Sequence, residues 1–457
     1  MIMKTVNVKY DVVVVGAGPG GLPAAIAAAR QGSKVLLVDR NGYVGGNVAL
    51  GLPLLAFLDK KGRQVTAGIA QEFVDKLIAR DACYGHRTCP MHNSVTVIQP
   101  DIFKIIAIET CKEAGVDILL HCEAISVDVE NQRLKRIYVQ GKGMRIEIEG
   151  KVFVDATGDG DIAYLAGASY EKGQEGSGIL QPPTVMFTLG NVNHDRFFDY
   201  LEKNPDQLTY GDKIECGEGY DAAYFRESKN HVFVGLRKLI MELREKGECP
   251  IDRDTFIYIN SPNEGQVYVN STRHLNVDAT DLFDLTRAEL EGHIQIGKLV
   301  DMLKIFVPGF ENCYISNISP NLGVRETRRI MGIKKLTADR IIKGDISEDS
   351  IALGSYKIDI HSGADDSTLF TALEEPYGIP YGCLVCSDIE GLMISGRCIS
   401  VDNEVLGSTR VMPTCMAIGE AAGVGAALAV KNNILPSEVN YFEVRKILKE
   451  NGAILHL

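Results

Sequence analysis

The stretch YDVVVVGAGPGGLPAAIAAARQGSKVLLVDR, residues 10–40, decides the fold. Asp11–Val15 is an apolar run suited to a central parallel strand, buried on both faces. Gly16, Gly18 and Gly21 follow as G-x-G-x-x-G, and an alanine-rich helical run leads to a second strand at Lys34–Val38. In such a unit the first glycine permits a tight turn and the second admits a pyrophosphate to the backbone. The third brings helix against strand. The phosphates then lie at the helix N-terminus, where free amides and the helix dipole favour negative charge. Asp39 closes the second strand 18 residues past Gly21, placed for a hydrogen bond to a ribose hydroxyl. The segment predicts a βαβ unit that binds a dinucleotide.

Just beyond it, NGYVGGNVALG (41–51) carries Gly45, Gly46 and Asn47. A second glycine pair suits a cofactor that runs past the first loop and meets the backbone again, as FAD requires and NAD does not. VFVDATGDGDIA (152–163) has the outline of another phosphate loop, with Gly158, Gly160 and Ala163 in spacing. Asp155, Asp159 and Asp161 speak against it, because carboxylates facing a pyrophosphate cost Coulomb energy. No acid-ended strand follows at the needed distance. One nucleotide contacted twice is the better reading, with Thr157 and Gly158 packing on its ribityl-pyrophosphate portion. A third contact comes from residues 388–433, which read as strand, glycine turn, loop and a small-residue helix from about Thr414. Pro413 suits a helix start. Aimed at a flavin, that N-terminus would stabilise the reduced ring.

The chain has 457 residues, 45% apolar and 24% charged, a balance that predicts a soluble globular protein of two or three domains. A net charge of −12 with no basic stripe argues against nucleic-acid binding. No cationic n-region with an apolar core opens the sequence, and no apolar run reaches the ~20 residues of a membrane span. Eleven cysteines spread thinly suit reduced thiols, so a cytoplasmic location is expected.

The sequence resembles the FAD-dependent oxidoreductase family, in the broad class of the fumarate reductase and succinate dehydrogenase flavoproteins. The resemblance rests on VVVVGAGPGGLPAAIAAAR, VGGNVA, VDATGDGDIAYLAGASYEKG, VNSTRHLNVDATD, LGVRETRRIMGIKKLTADRI, YKIDIH, GIPYGCLV and SGRCIS…GSTRVMPTCMAIGEAAG, in order from about residue 11 to 430. It implies an α/β protein: a Rossmann-like FAD-binding domain with a β-meander, plus an inserted α+β substrate domain. It implies one non-covalent FAD and redox chemistry on a small molecule, without naming the substrate. Cofactor contacts would extend to Pro19, Gly20, Arg40, Ala156, Asp159, Gly396, Arg397, Met412, Thr414 and Cys415, and to the backbone near Ala124. An electron-transfer partner protein and a homo-oligomer remain open.

The expected FAD domain comprises residues 1–58, 95–190 and 385–457, with a variable loop or lid at 59–94 and the substrate domain at 191–384. Helices are expected around 284–304 and 328–343. Arg325 and Arg410 are the candidates for clamping a substrate carboxylate or supporting developing charge. Salt bridging of Arg325 to Glu326 is the structural alternative. His361, in IDIHSGADD, could serve as acid or base, or be a hydrogen-bonded interdomain histidine. Tyr381 and Asn403 complete the catalytic set; the resembling family often has histidine where this chain has Asn403, which puts acid–base chemistry there in doubt. Cys83, His86, Cys89 and His92 have ligand chemistry for zinc, but their uniform spacing differs from common zinc modules, so no metal is assigned. Cys383-x-x-Cys386 could be a flavin-facing dithiol or two buried thiols.

Overall fold

The computed structural model describes residues 4–208, 219–251, 253–365 and 368–457. Its centre is the strand Lys4–Val15, whose Val12, Val13 and Val14 are fully buried. Val35–Val38 pairs parallel to it on one side and Met144–Asp155 on the other, with Val15 opposite both Val38 and Asp155. Asp117–Leu119 extends the sheet beyond Val38, and Leu392–Ile394 extends it beyond Asp155, both parallel. Five parallel strands therefore end at one rim. The chain crosses from one side of the first strand to the other there, the switch point at which open α/β sheets bind ligands.

The strand Met144–Asp155 serves two neighbours in succession. Its first half takes the antiparallel meander of Arg133–Gly141 and Glu123–Glu130, and its last residues take Leu392–Ile394. The meander turns at Asn131–Gln132 and Lys142–Gly143, all four residues with positive φ. Helix Gly21–Arg30 lies against helix Met412–Asn432 so closely that side chains are excluded: a Cβ on Gly419 would sit 2.2 Å from the Gly20 carbonyl oxygen, and one on Gly423 2.1 Å from that of Ala24. Among the described residues Met412–Asn432 is the one helix long and apolar enough to cross a membrane. Of its most apolar window 89% is buried inside the molecule, so this apolarity serves the core.

A second, antiparallel sheet runs in the order Val232–Gly235, Phe256–Asn260, Val267–Val269, Phe187–Gly190, Tyr314–Ile318. Its core is aromatic, with Phe197, Phe225, Phe233, Phe256, Tyr258 and Phe310 buried together. Helices His194–Lys203, Arg237–Glu245 and Leu282–Phe306 contribute to this core. Asn193 and Asp281 cap two of these helices by accepting from Arg196 N and from Phe283 N and Asp284 N.

Three expectations are corrected. Phe187–Gly190 already belongs to the second sheet, while Ile330, Leu336, Ile351, Ile358, Tyr377 and Ile379 pack in the core of the first; the inserted unit is therefore shorter than 191–384. Residues 59–94 are not a plain loop, because helix Ile69–Ile78 buries Ile69, Phe73, Val74 and Leu77 in that same core. The region 328–343 is not one helix: Arg328–Ile330 is a strand antiparallel to Tyr170–Lys172, and only Ala338–Ile342 is helical. There, Arg329 pairs with Glu171, its neighbour across the strand pair, and Arg328 pairs with Asp161 at the start of helix Asp161–Leu165.

Candidate functional site

The rim of the parallel sheet, the second sheet and the segment around residues 356–370 enclose a cavity of about 740 Å³. At its nucleotide end the wall is glycine because nothing larger fits. Gly16, at φ 101°, would place a Cβ 2.3 Å from the Ala156 carbonyl oxygen, and Gly21 1.7 Å from that of Gly16. A Cβ on Gly20 would fall 2.8 Å from Gly396, and one on Gly46 2.9 Å from the Cα of Gly18. A Cβ on Gly18 would meet only the Gly46 Cα, at 3.9 Å, so this residue faces the open cavity. The two glycine loops thus touch backbone to backbone beside the N-terminus of helix Gly21–Arg30, leaving amides for an anionic ligand.

Asp39 is buried beside this cradle. Its carboxylate accepts from Ala17 N at 2.6 Å and Asn41 N at 2.7 Å, so one side chain orders both strand-end loops. Asn321 crosses from the second unit and donates to Asn41 Oδ1 at 2.7 Å and Tyr43 Oη at 2.9 Å. Arg40 and Ala124 line the same end, Arg40 largely exposed.

The three aspartates of 152–163 are all engaged within the protein. Asp155, fully buried, accepts from Thr157 N (3.1 Å), Thr157 Oγ1 (2.7 Å) and Ala163 N (2.9 Å), pinning the short helix Asp161–Leu165 to the strand end. Asp159 pairs with Arg397 at 2.5 Å and accepts from Thr327 Oγ1 at 2.8 Å. Despite burial, the Arg397 guanidinium holds its carboxyl below the usual range. Asp161 pairs with Arg328 at 2.9 Å; burial and its two neighbouring carboxylates push it up to about 6. The stretch is a wall of the first nucleotide site.

The far end of the cavity is charged. Arg410 Nη2 donates to the Asp359 carbonyl at 2.9 Å and lies 3.3 Å from its carboxylate. His361 Nε2 lies 3.2 Å from the same carboxylate, and its Nδ1 is 3.2 Å from Thr368 Oγ1. Burial lowers His361 to about 3, outweighing the carboxylate, while His361 and Arg410 hold Asp359 ionised. Arg325 donates through Nη1 to the Pro182 carbonyl and to Thr184 Oγ1 at 2.8 Å. Burial first, then the charge of Arg410, pushes its pKa well down. Arg253 and Arg273 line this end too, and Met91, Val232, Val234, Ile257 and Ile259 supply apolar surface.

Of the expected cofactor residues, Gly16, Gly18, Pro19, Gly20, Asp39, Arg40, Gly46, Asn47, Ala124, Ala156, Thr157, Gly158, Asp159, Gly396, Arg397, Met412 and Cys415 line the cavity. Gly21, Gly45 and Thr414 lie behind it: Gly45, at φ 114°, packs on Phe103, and Thr414 is buried. Arg325, His361 and Arg410 come together, but Tyr381 and Asn403 do not join them. Tyr381 is buried against helix Met412–Asn432, its hydroxyl donating to the Pro436 carbonyl at 2.9 Å. Asn403 donates to Glu326 at 2.6 Å, and Glu326 pairs with Arg329, not with Arg325. Asp359 went unremarked in the sequence, although its signal was present. In a strand, residues two apart share a face, so IDIH places Asp359 beside His361.

Neither cysteine pattern reaches the cavity as a unit. Cys383 and Cys386 are buried free thiols off the cavity wall, and burial pushes Cys383 up to about 12. His86 is stacked on Phe57 and bonded to Gln71 and Thr96. Cys83 Sγ accepts from Gly85 N, and Cys89 and His92 meet each other at 3.4 Å, so the four side chains do not converge on one point.

A glycine-walled groove at the end of a parallel sheet, opening into a charged chamber under a second sheet, defines a dinucleotide-dependent enzyme of the flavoprotein type. The chain belongs to the FAD dependent oxidoreductase family, whose match covers residues 11–448. It is 28% identical over 248 residues to the digeranylgeranylglycerophospholipid reductase of Methanocaldococcus jannaschii, covering 51% of this chain and 57% of that protein. It is 27% identical over 275 residues to reductase 1 of that name from Methanococcoides burtonii, covering 56% and 60%. The matched region thus spans less than two thirds of these relatives. Among solved structures it is similar to a geranylgeranyl bacteriochlorophyll reductase-like protein from Thermoplasma acidophilum, with 15% identity, TM-score 0.49 and coverage of 97% of this chain and 84% of that one. FAD fits the residues present, since the cradle at Gly16, Gly20 and Gly46 admits no side chain, Gly18 leaves open space beside it, and Arg397 pairs with the Asp159 carboxylate there.

Proposed function

We propose that this protein moves a hydride between FAD and a carbon of a small-molecule substrate held against Arg325, Asp359, His361 and Arg410. The observation that carries the reading is that one cavity joins the glycine cradle to this charged wall. Bound FAD supplies a two-electron centre able to take or give a hydride. Gly16, Gly18, Asp39, Gly46, Asp159 and Arg397 would hold its nucleotide portion, and the N-terminus of helix Met412–Asn432 its ring end. Arg325 and Arg410, each fixed by carbonyl contacts, present cations where negative charge develops on the substrate. His361 lies between two oxygens, its Nε2 3.2 Å from the Asp359 carboxylate and its Nδ1 3.2 Å from the Thr368 hydroxyl, an arrangement that would suit a proton on Nε2. The name of the relatives supports the reducing direction, and ten described free thiols support a reducing compartment, the cytoplasm.

The reading is tested by the absorption spectrum of purified protein before and after acid precipitation, followed by anaerobic bleaching with candidate substrates. Flavin released into the supernatant, together with substrate-dependent bleaching that Arg410→Met removes, is the expected result. Colourless protein that takes up no added FAD would overturn it.

A further inference from the structure

We infer that the substrate is a small organic anion whose acidic group is held by Arg325, with Arg410 beside it; this rests on the reading of the charged chamber as the substrate side. The hydrogen bonds of Arg325 all leave through Nη1, to the neutral acceptors Pro182 O and Thr184 Oγ1. Among the described residues no carboxylate lies within ion-pair distance of it. Its Nε and Nη2 have no protein acceptor and are not sealed off, and the residue lines the cavity, so its donor edge faces the ligand space. A guanidinium in a chamber wall without a counter-charge is costly, and the cost is removed when an anion arrives.

The chamber reinforces the point. Asp359 lies within ion-pair distance of Arg410, at 3.3 Å, and 3.2 Å from His361 Nε2. Counting only Arg325, Arg410 and Asp359, one positive charge is left over. The planar fork of Arg325 matches the two oxygens of a carboxylate, and equally those of a phosphate. The same cavity is also lined by the apolar Met91, Val232, Val234, Ile257 and Ile259, beside Arg253 and Arg273. The site therefore reads one acidic group on a compact apolar body.

The experiment titrates FAD-loaded protein with benzoate, phenyl phosphate and benzamide, reading the shift of the flavin absorption band and, separately, the thermal midpoint. Benzamide has the shape of benzoate without the charge. Saturable shifts with benzoate or phenyl phosphate, at least 10-fold tighter than with benzamide, are expected; the tighter of the two anions says whether carboxylate or phosphate is read. Arg325→Met should keep its flavin and lose anion affinity about 10- to 100-fold, the worth of a charged hydrogen bond, with Arg325→Lys recovering part of it. Benzamide binding as tightly as the anions overturns the inference on wild-type protein alone, whatever the variants do. An Arg325→Met protein that retains flavin and full anion affinity overturns it as well. Absence of flavin from wild-type protein would instead sink the redox reading, and the thermal shift with benzoate would still test the anion site.

Discussion

Replacing Glu420 by glutamine should abolish the pH response of one helix junction. Glu420 lies within the apolar helix Met412–Asn432, is 1% exposed, and accepts from Ile69 N at 2.9 Å, capping helix Ile69–Ile78 from outside. Gly68, at φ 63°, leaves the space, since a Cβ there would fall 2.3 Å from the carboxylate oxygen. Burial pushes the Glu420 carboxyl up from 4.5 to about 7, against the pull of the Ile69 amide. The folded state therefore keeps a proton that the unfolded chain releases above 4.5. The contribution to stability is full below 4.5, declines between 4.5 and about 7, and levels off above. At 1.36 kcal/mol per pH unit the decline is about 3 kcal/mol. Glutamine keeps the oxygen that accepts from Ile69 and has no proton to lose. From pH 4.5 to 8 the variant should gain on wild type by about 3 kcal/mol, or about 3 °C in Tm for a chain of this length. Melting curves of both proteins across that range cancel the other titrating groups. A Tm difference that stays constant with pH would refute the assignment of the proton to Glu420.

Gly423→Ala would press a methyl group into the Ala24 carbonyl, so a loss of about 1–3 kcal/mol in stability and weaker flavin retention are expected from melting and gel filtration. Arg397→Met should strip Asp159 of its partner and raise the Kd for FAD at least 10-fold by fluorescence titration; unchanged FAD affinity would remove Arg397 from the site. Tyr381→Phe should cost about 1 kcal/mol in a denaturant titration and leave kcat alone, because only the bond to Pro436 is lost. The double change Cys383→Ser with Cys386→Ser should leave turnover at the wild-type rate, whereas loss of turnover would revive dithiol chemistry.

The nucleotide end of the site was legible because its chemistry is local. Gly16, Gly18 and Gly21 act within one turn, and Asp39 ends the next strand, so spacing along the chain is spacing in space. The paired aspartates of 152–163 were readable in the negative: their charge excluded a second pyrophosphate, but their partners, Arg328 and Arg397, lie far along the chain. The substrate end was legible only in part. Arg325, His361 and Arg410 converge from three segments, and no periodicity announces which distant residues share a chamber. Tyr381 and Asn403 looked reactive by residue type; each proved to satisfy a buried partner. Domain limits were blurred for a related reason: residues 330–384 follow the second sheet in sequence but bury their apolar side chains in the first core.

The division of strand Met144–Asp155 between the meander and Leu392–Ile394 carries a consequence for the order of assembly. The glycine loop at 16–21 leaves the ribosome long before the wall it packs against, Gly396 and helix Met412–Asn432. About 390 residues separate Asp39 from the end of that helix. At typical synthesis rates this is a delay on the order of half a minute. Throughout it the small-residue face of helix Gly21–Arg30 lacks its partner, and from their own synthesis until residue 394 so does the edge of Phe153 and Val154. Cofactor capture is thereby deferred until that helix has been made.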